Sequence, residues 1–402
     1  MTSSSSLLAL AALGFVSLWG GMWFNGTLEG LLRVQQAAAF PDGRPMRTNF
    51  TGHALVDSAA MLPIAFFDLI TDEKTHPAAP WLVFDLCSVL AAVSTWVLIE
   101  SRRRGVRNPF LRQTKRGLEN VSNANDISTI LFIFLWNTFG AAFVAPIYFY
   151  FLTQSRHTAR DPTIPLNEAR AFPITLVANA VFPLLMFTPG GSDHERHGFI
   201  AQFSLTPVFM VLCIVFFSRP GTSFTSFATP KDEARPNADA PWIVASLCAT
   251  GVLTAAQHLY TVAAACLSPN GDAGRLTWTR VFVPSASKVL SWPQGSQMAL
   301  VEGAHLFTQL DWLITAVACV VFTHYLLRSS SNDRQEGSGL VSLAAISLAT
   351  AILGPGSAGS FALMVREKRL RARVQLKTRE ASLAALSQES RSLLGTSMSY
   401  AT

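Results

Sequence analysis

Nine stretches of about 20 mostly apolar residues, set apart by short polar connections, direct this chain into a lipid bilayer. At 1.5 Å of rise per residue, a helix of that length crosses ~30 Å of hydrocarbon. The runs lie at 6–25, 53–71, 80–100, 127–152, 169–188, 198–218, 241–266, 303–328 and 338–365. Backbone groups in lipid must bond internally, so such runs are expected to be helical. The expected fold is all-α, a polytopic transmembrane helix bundle of about nine spans, with eight or seven also compatible. Residues 1–365 are expected to form the membrane domain, and 366–402 a basic, partly disordered cytosolic tail.

Charge supports this reading. Only 14% of residues are charged, against about a quarter in soluble domains. The net charge of +6 is no nucleic-acid signal, because the basic residues gather beside apolar runs. One group is Arg102-Arg103-Arg104-Gly105-Val106-Arg107, continuing to Arg112, Lys115 and Arg116; the other runs from Arg366 to Arg373. Both are expected in the cytosol, touching lipid headgroups. Six expected spans separate them and three precede the first, which puts the N-terminus in the lumen and the C-terminus in the cytosol. The endoplasmic reticulum is the expected organelle. The five cysteines (Cys87, Cys213, Cys248, Cys266, Cys319) show no CxxC spacing and are assigned to packing. The 267–302 connection, with Trp278, Phe282 and Trp292, is too long for a bare loop and is expected at the interface or re-entering the bundle.

Ionisable side chains among lipid-length runs are costly and mark function or partnership. In the second run Asp57 and Asp68 stand eleven residues apart on one helical face, ~16 Å apart along the axis. Asp68 reads as interfacial; Asp57 reads equally as a functional group or a structural hydrogen-bonding one. Asp85 is close enough to the start of its run to snorkel. In the eighth run Glu302, His305 and Gln309 form one polar stripe, while Asp311 points nearly opposite Glu302 and lies deeper. Asp311 therefore needs its own partner or cavity. Asn137, Asn179, Gln257, His258 and His324 read as interhelical glue. A Glu-x-x-His at 302–305 without a matching one on another helix does not build a metal site, so no metal and no cofactor is expected.

The sequence has no GxSxG, HExxH, GxxxxGK[ST] or strand-borne GxGxxG, and no aspartate-rich diphosphate motif. What remains is an apolar bundle rich in rings, with 28 Phe, 9 Trp and 5 Tyr, holding a few carboxyls. A carboxyl buried in an apolar site tends to stay protonated and can act as an acid. Ring faces stabilise a carbocation, and exclusion of water protects it. Acid-triggered cyclisation of a lipophilic polyene or its epoxide suits that composition.

Three segments carry a resemblance: Asp57 to Phe67, Trp136-Asn137-Thr138-Phe139-Gly140 leading to Ala145-Pro146-Ile147-Tyr148-Phe149, and His305 to Asp311. In these the chain resembles the fungal membrane-bound meroterpenoid cyclases, in the group that includes the ascochlorin, ascofuranone and macrophorin pathway cyclases. The resemblance implies protonation of a terminal alkene or epoxide on a farnesyl-type prenyl chain joined to an aromatic or polyketide head, with Asp57 and Asp311 as the matching acidic positions. It departs from the family at Asp68, where an aromatic residue is more usual, and in the long 267–302 connection.

The expected function is thus a terpene cyclase in which Asp311 or Asp57 donates the first proton. Glu302 or His305 would set its protonation or take the final proton. Trp136, Phe139, Tyr148 and Trp312 are the expected aromatic wall, with Asn137 among the substrate-binding residues. The partners are a lipophilic small molecule and membrane lipids, with no nucleic acid and no obligate protein partner. The rival readings are a proton-coupled transporter using the same carboxylates and a non-catalytic receptor or scaffold working through its basic tail.

Overall fold

Apolar runs become helices wherever the chain can bond its own backbone, and strand structure is confined to one isolated bridge among the described residues. The computed structural model describes residues 4–72, 75–104, 121–154, 161–188, 192–219, 237–268, 276–330 and 336–399. In chain order the helices are α1 (Ser5–Phe24, with a π turn at Val16–Gly20), α2 (Thr27–Ala37), α3 (Ala54–Thr71), α4 (Ala79–Ser101) and α5 (Val121–Phe139). There follow α6 (Ala141–Gln154), α7 (Leu166–Leu185), α8 (Asp193–Phe203), α9 (Thr206–Phe217) and α10 (Ala240–Leu267). The series ends with α11 (Trp278–Phe282), α12 (Ala286–Leu290), α13 (Gln297–Ser329), α14 (Glu336–Leu353) and α15 (Pro355–Ser399). Helix α13 is central, touching α1, α2, α3, α4, α6, α14 and α15.

Among the described residues six helices are long and apolar enough to cross a bilayer, α1, α3, α4, α7, α10 and α13, and α8 with α9 makes a seventh bent by 53°. This is an integral membrane, all-α protein, with fewer full-length spans than the nine expected. The shortfall has a local cause. The expected spans 127–152 and 338–365 are each broken by a glycine in the left-handed region, Gly140 at φ +91 and Gly354 at φ +83, a conformation that ends a helix cheaply only at glycine. After Gly140 the chain doubles back: Thr129 Oγ1 lies 3.2 Å from the Tyr148 hydroxyl, and Phe132 stacks on Tyr148 at 4.3 Å. After Gly354, α15 returns along α14, with Ile346 and Ala362 in one apolar cluster. Both are helical hairpins.

Both hairpins open toward one end of the bundle, the basic end. Thr129 Oγ1 bonds Ser101 Oγ at 3.4 Å, and Gln154 Nε2 donates to Ser4 Oγ at 2.9 Å. Arg104 N donates to Thr163 O at 2.9 Å, and Ile164 N to Asp239 Oδ2 at 2.7 Å. A buried ion network ties these pieces to α15. Arg103 donates to Glu100 Oε1 and, at 2.7 Å, to Glu367 Oε2; Arg366 reaches Glu100 at 2.7 Å; Arg371 spans Glu367 and Asp239 at 2.7 Å each. Burial disfavours charge on Glu367, but the guanidinium groups of Arg103 and Arg371 outweigh it and hold the carboxyl below the usual glutamate range. Desolvation of Arg103 is likewise outweighed by Glu100 and Glu367, which hold it above the ordinary arginine value. Residues 105–120, with the rest of the first basic segment, lie outside the described residues. Helix α15 runs unbroken past position 365, where the tail was expected to begin.

At the far end α3 forms a roof. Gln35 Nε2, at the end of α2, donates to Ser58 O at 2.8 Å, and Asp68 at the other end of α3 pairs with Arg44 and Arg196 at 3.2 Å each. Two helices reinforce the interior as expected, with Asn179 Nδ2 donating to Ala91 O at 2.7 Å and His324 Nδ1 lying 3.2 Å from Ser342 Oγ. Asp85 does not snorkel. It is fully buried between His258 Nδ1 at 3.0 Å and Trp312 Nε1 at 2.8 Å, because α4 is enclosed along its whole length.

Candidate functional site

Between the roof helix α3 and the turn at Gly140 lies a cavity of about 260 Å³. Its wall is almost wholly apolar. The rings of Trp19, Phe66, Phe67, Trp136, Phe139, Phe203 and Phe307 line it, with aliphatic side chains from α2, α3 and α4 between them. The rings brace each other: Phe66 meets Phe307 at 5.1 Å, Phe67 meets Phe203 at 5.4 Å, and Trp19 meets Phe139 at 5.8 Å. Edge-on and tilted contacts of this kind fix ring orientation while leaving faces free.

One carboxyl reaches this cavity among the described residues, that of Asp311. It is buried, near the middle of α13. Its Oδ1 accepts a 2.6 Å hydrogen bond from Ala142 N, in the first turn of α6, and the neighbouring Ala141 N–H also donates to the carboxyl. The Gly140 turn makes this geometry possible. Breaking the α5–α6 hairpin in mid-bundle exposes a helix N-terminus whose free N–H groups point at a carboxyl, as helix starts do. A Cβ at position 140 would lie 2.5 Å from Leu18 Cδ1 and 3.4 Å from Asp311 Oδ1. Close by, the buried Trp136 Nε1 lacks a hydrogen-bond partner among the described residues, and Asn137 adds an amide to the wall. The polar groups of the cavity therefore gather at its Gly140 end.

Four of the expected site residues line this one cavity: Asp311, Trp136, Asn137 and Phe139. The other expected residues stand elsewhere. Asp57 lies in the first turn of α3, where its carboxylate accepts from Thr51 N and Thr51 Oγ1 at 2.8 Å and from Gly52 N at 3.1 Å. It braces the approach to α3 and is not in the cavity wall. Glu302 pairs with Arg280 and lies 3.7 Å from His76 Nε2. His305 Nε2 donates to Arg280 O at 2.9 Å, and Gln309 Nε2 to the same oxygen at 3.0 Å. That stripe fastens α11 against α13, on the face opposite Asp311, so the long connection is held down by it. Tyr148 packs on Phe132 inside the hairpin, and Trp312 serves Asp85.

Several lining residues were not singled out from the sequence. Phe307 and Thr308 sit four and three places before Asp311, so helical spacing from the deepest carboxyl would have found them. Phe66 and Phe67 belong to a segment noted only for its resemblance. Trp19 carries no local signal beyond being an aromatic residue in the first apolar run.

The family model described as CtvD domain matches residues 2–371. The chain is 36% identical over 390 residues to terpene cyclase DEP1 of Fusarium langsethiae, across 92% of this chain and 99% of that protein. It is 35% identical over 388 residues to terpene cyclase DEP1 of Alternaria brassicicola, with the same coverage of 92% and 99%. It is 27% identical over 373 residues to terpene cyclase alnG of Emericella nidulans, across 89% and 92%. No solved structure matches the chain. The chain belongs to the CtvD domain family and is a membrane-associated protein of the fungal terpene-cyclase kind.

Proposed function

We propose that the protein is an integral membrane terpene cyclase, of the type serving ascochlorin, ascofuranone and macrophorin-like pathways. It protonates an alkene or epoxide of a farnesyl-type prenyl chain on a meroterpenoid precursor and closes rings through carbocations. The observation that carries this reading is Asp311, the single carboxyl among the described residues at the polar end of a ring-lined cavity, held by the backbone N–H groups at the start of α6. The Asp311 carboxyl O–H bond breaks as the proton passes to the alkene carbon or epoxide oxygen. The carboxylate left behind is stabilised by the Ala142 N–H and the start of α6, donors fixed before the reaction begins. Positive charge then moves along the chain past the faces of Trp19, Trp136, Phe139 and Phe307, which stabilise it without bonding to it. Loss of a proton to the Asp311 carboxylate ends an alkene-forming route and restores the acid, so the reaction is an isomerisation with atoms balanced. Glu302, His305 and Asp57 have structural duties in this scheme, Tyr148 and Trp312 shape the walls from behind, and Asn137 with Trp136 Nε1 orients the reacting group.

The chain crosses the membrane six times in this account, through α1, α4, α7, α8–α9, α10 and α13, while α3 roofs the far end. The two basic segments then face the cytosol together, consistent with the positive-inside tendency. Ser4 bonds Gln154 at that same end, so both chain ends are assigned to the cytosol and not to opposite sides. The endoplasmic reticulum is the proposed location, and the cytosolic tail is the part of α15 beyond the ion-paired residues 366–371. The test is product formation by purified protein in detergent from a prenylated precursor, where no gradient exists. Turnover there supports a cyclase; turnover absent in detergent but solute flux in vesicles that a protonophore abolishes supports the transporter instead.

A further inference from the structure

The cavity wall reaches the protein surface at a few lining residues. Among its lining residues the exposed ones are Ala59 in α3 and Thr138 and Phe139 at the end of α5, with Phe139 41% exposed. Helices α3 and α5 both wall the cavity yet are not among the closely packed helix pairs of the described residues. Trp19 stands in the gap, where its ring meets Phe139 and its Nε1 donates to Phe139 O at 2.9 Å. The surface around the gap is apolar: Leu55 is 79% exposed, and Val56, Leu131 and Phe134 are exposed beside it. The gap also lies deep. Thr138 and Phe139 adjoin the Gly140 turn, which touches Asp311 near the middle of the 33-residue α13, whereas α3 is tied to groups at the far end.

An opening that reaches from mid-bundle to the far end and is rimmed by apolar side chains faces lipid tails, not water. We infer that the cavity fills sideways from the membrane, through a mouth framed by Ala59, Thr138 and Phe139 and latched by Trp19. Its ligand is an uncharged, chain-like molecule dissolved in the leaflet nearer the far end. The inference rests on the cavity being the substrate site. A charged molecule would have to shed its hydration to pass these rims, while a prenyl chain in the leaflet has already left water.

The experiment uses full-length protein in liposomes whose membrane holds a saturated alkyl probe bearing a photoreactive diazirine, with cross-links mapped by mass spectrometry. Label is expected inside the cavity, on Cys87, Leu90 or Phe307, and on the outer surface at Leu131. The variants Ala59→Trp and Thr138→Trp should each lower the cavity label severalfold and leave the Leu131 label unchanged, which also shows that the fold is intact. Cavity label that is absent in the wild type, or untouched in both variants, overturns the inference. The probe has no alkene or epoxide to react, so its result does not depend on whether the protein is a cyclase. Asp311→Asn should label like the wild type.

Discussion

Ala142 N and Asp311 Oδ1 are 2.6 Å apart although 169 positions separate them in the chain. The bond joins a helix start created by a broken hairpin to the one carboxyl in the cavity wall among the described residues. It requires Gly140 at φ +91, because only there does α6 begin level with Asp311. Acid, helix start and glycine turn therefore form one device.

Gly140→Ala should disable that device. The left-handed conformation costs an L-residue about 1–3 kcal/mol, and the new Cβ would meet Leu18 Cδ1 at 2.5 Å. Product formation should fall sharply while the variant still inserts in membranes, as read by product yield alongside membrane fractionation.

The Glu302 stripe should behave differently. His305→Ala removes the hydrogen bond to Arg280 O, a loss of about 1 kcal/mol. The detergent-purified variant should melt at lower temperature yet form product at a rate within a few-fold of wild type. A complete loss of product with an unchanged melting temperature would return His305 to the chemistry.

The tail divides at Arg371. Deleting residues 372–402 should spare activity, whereas Arg371→Ala takes from the buried Asp239 carboxylate its guanidinium partner and leaves Glu367 with Arg103 alone, a loss of about 3–5 kcal/mol. Glu367 is held below the usual glutamate range, so its contribution is complete above ~4.3, the ordinary glutamate value, and is lost as pH falls through the lower value it has when folded. Melting temperature should thus be insensitive to this group between neutrality and pH ~5, drop in stronger acid, and drop less steeply there in Arg371→Ala.

Much of this was readable from residue spacing. Asp311 is nine places from Glu302, half a turn out of phase, and that alone separated the cavity face of α13 from the face that holds α11. The interhelical role of Asn179 was likewise legible from where a polar group interrupts an apolar run, and the length of the 267–302 connection ruled out a bare loop. The hairpins were not. A run such as 127–152 has the hydropathy of a crossing, and hydropathy does not register a change of direction; only the positive φ of Gly140 and Gly354 does. Asp57 looked like a twin of Asp311 because helical phase says nothing of the preceding loop, whose Thr51 and Gly52 amides claim the carboxylate. Tyr148 and Trp312 looked like cavity rings because an aromatic side chain in an apolar run carries no mark of which helix it faces.

The most direct test is product analysis of Asp311→Asn, which keeps the shape of the side chain and its contact with Ala142 N but holds no transferable acid proton. Lipid extracts of cells fed the prenylated precursor should show cyclised product reduced about 100-fold or more, with the variant present in membranes at wild-type level. Undiminished product from Asp311→Asn would contradict the account, since no other carboxyl among the described residues reaches the cavity.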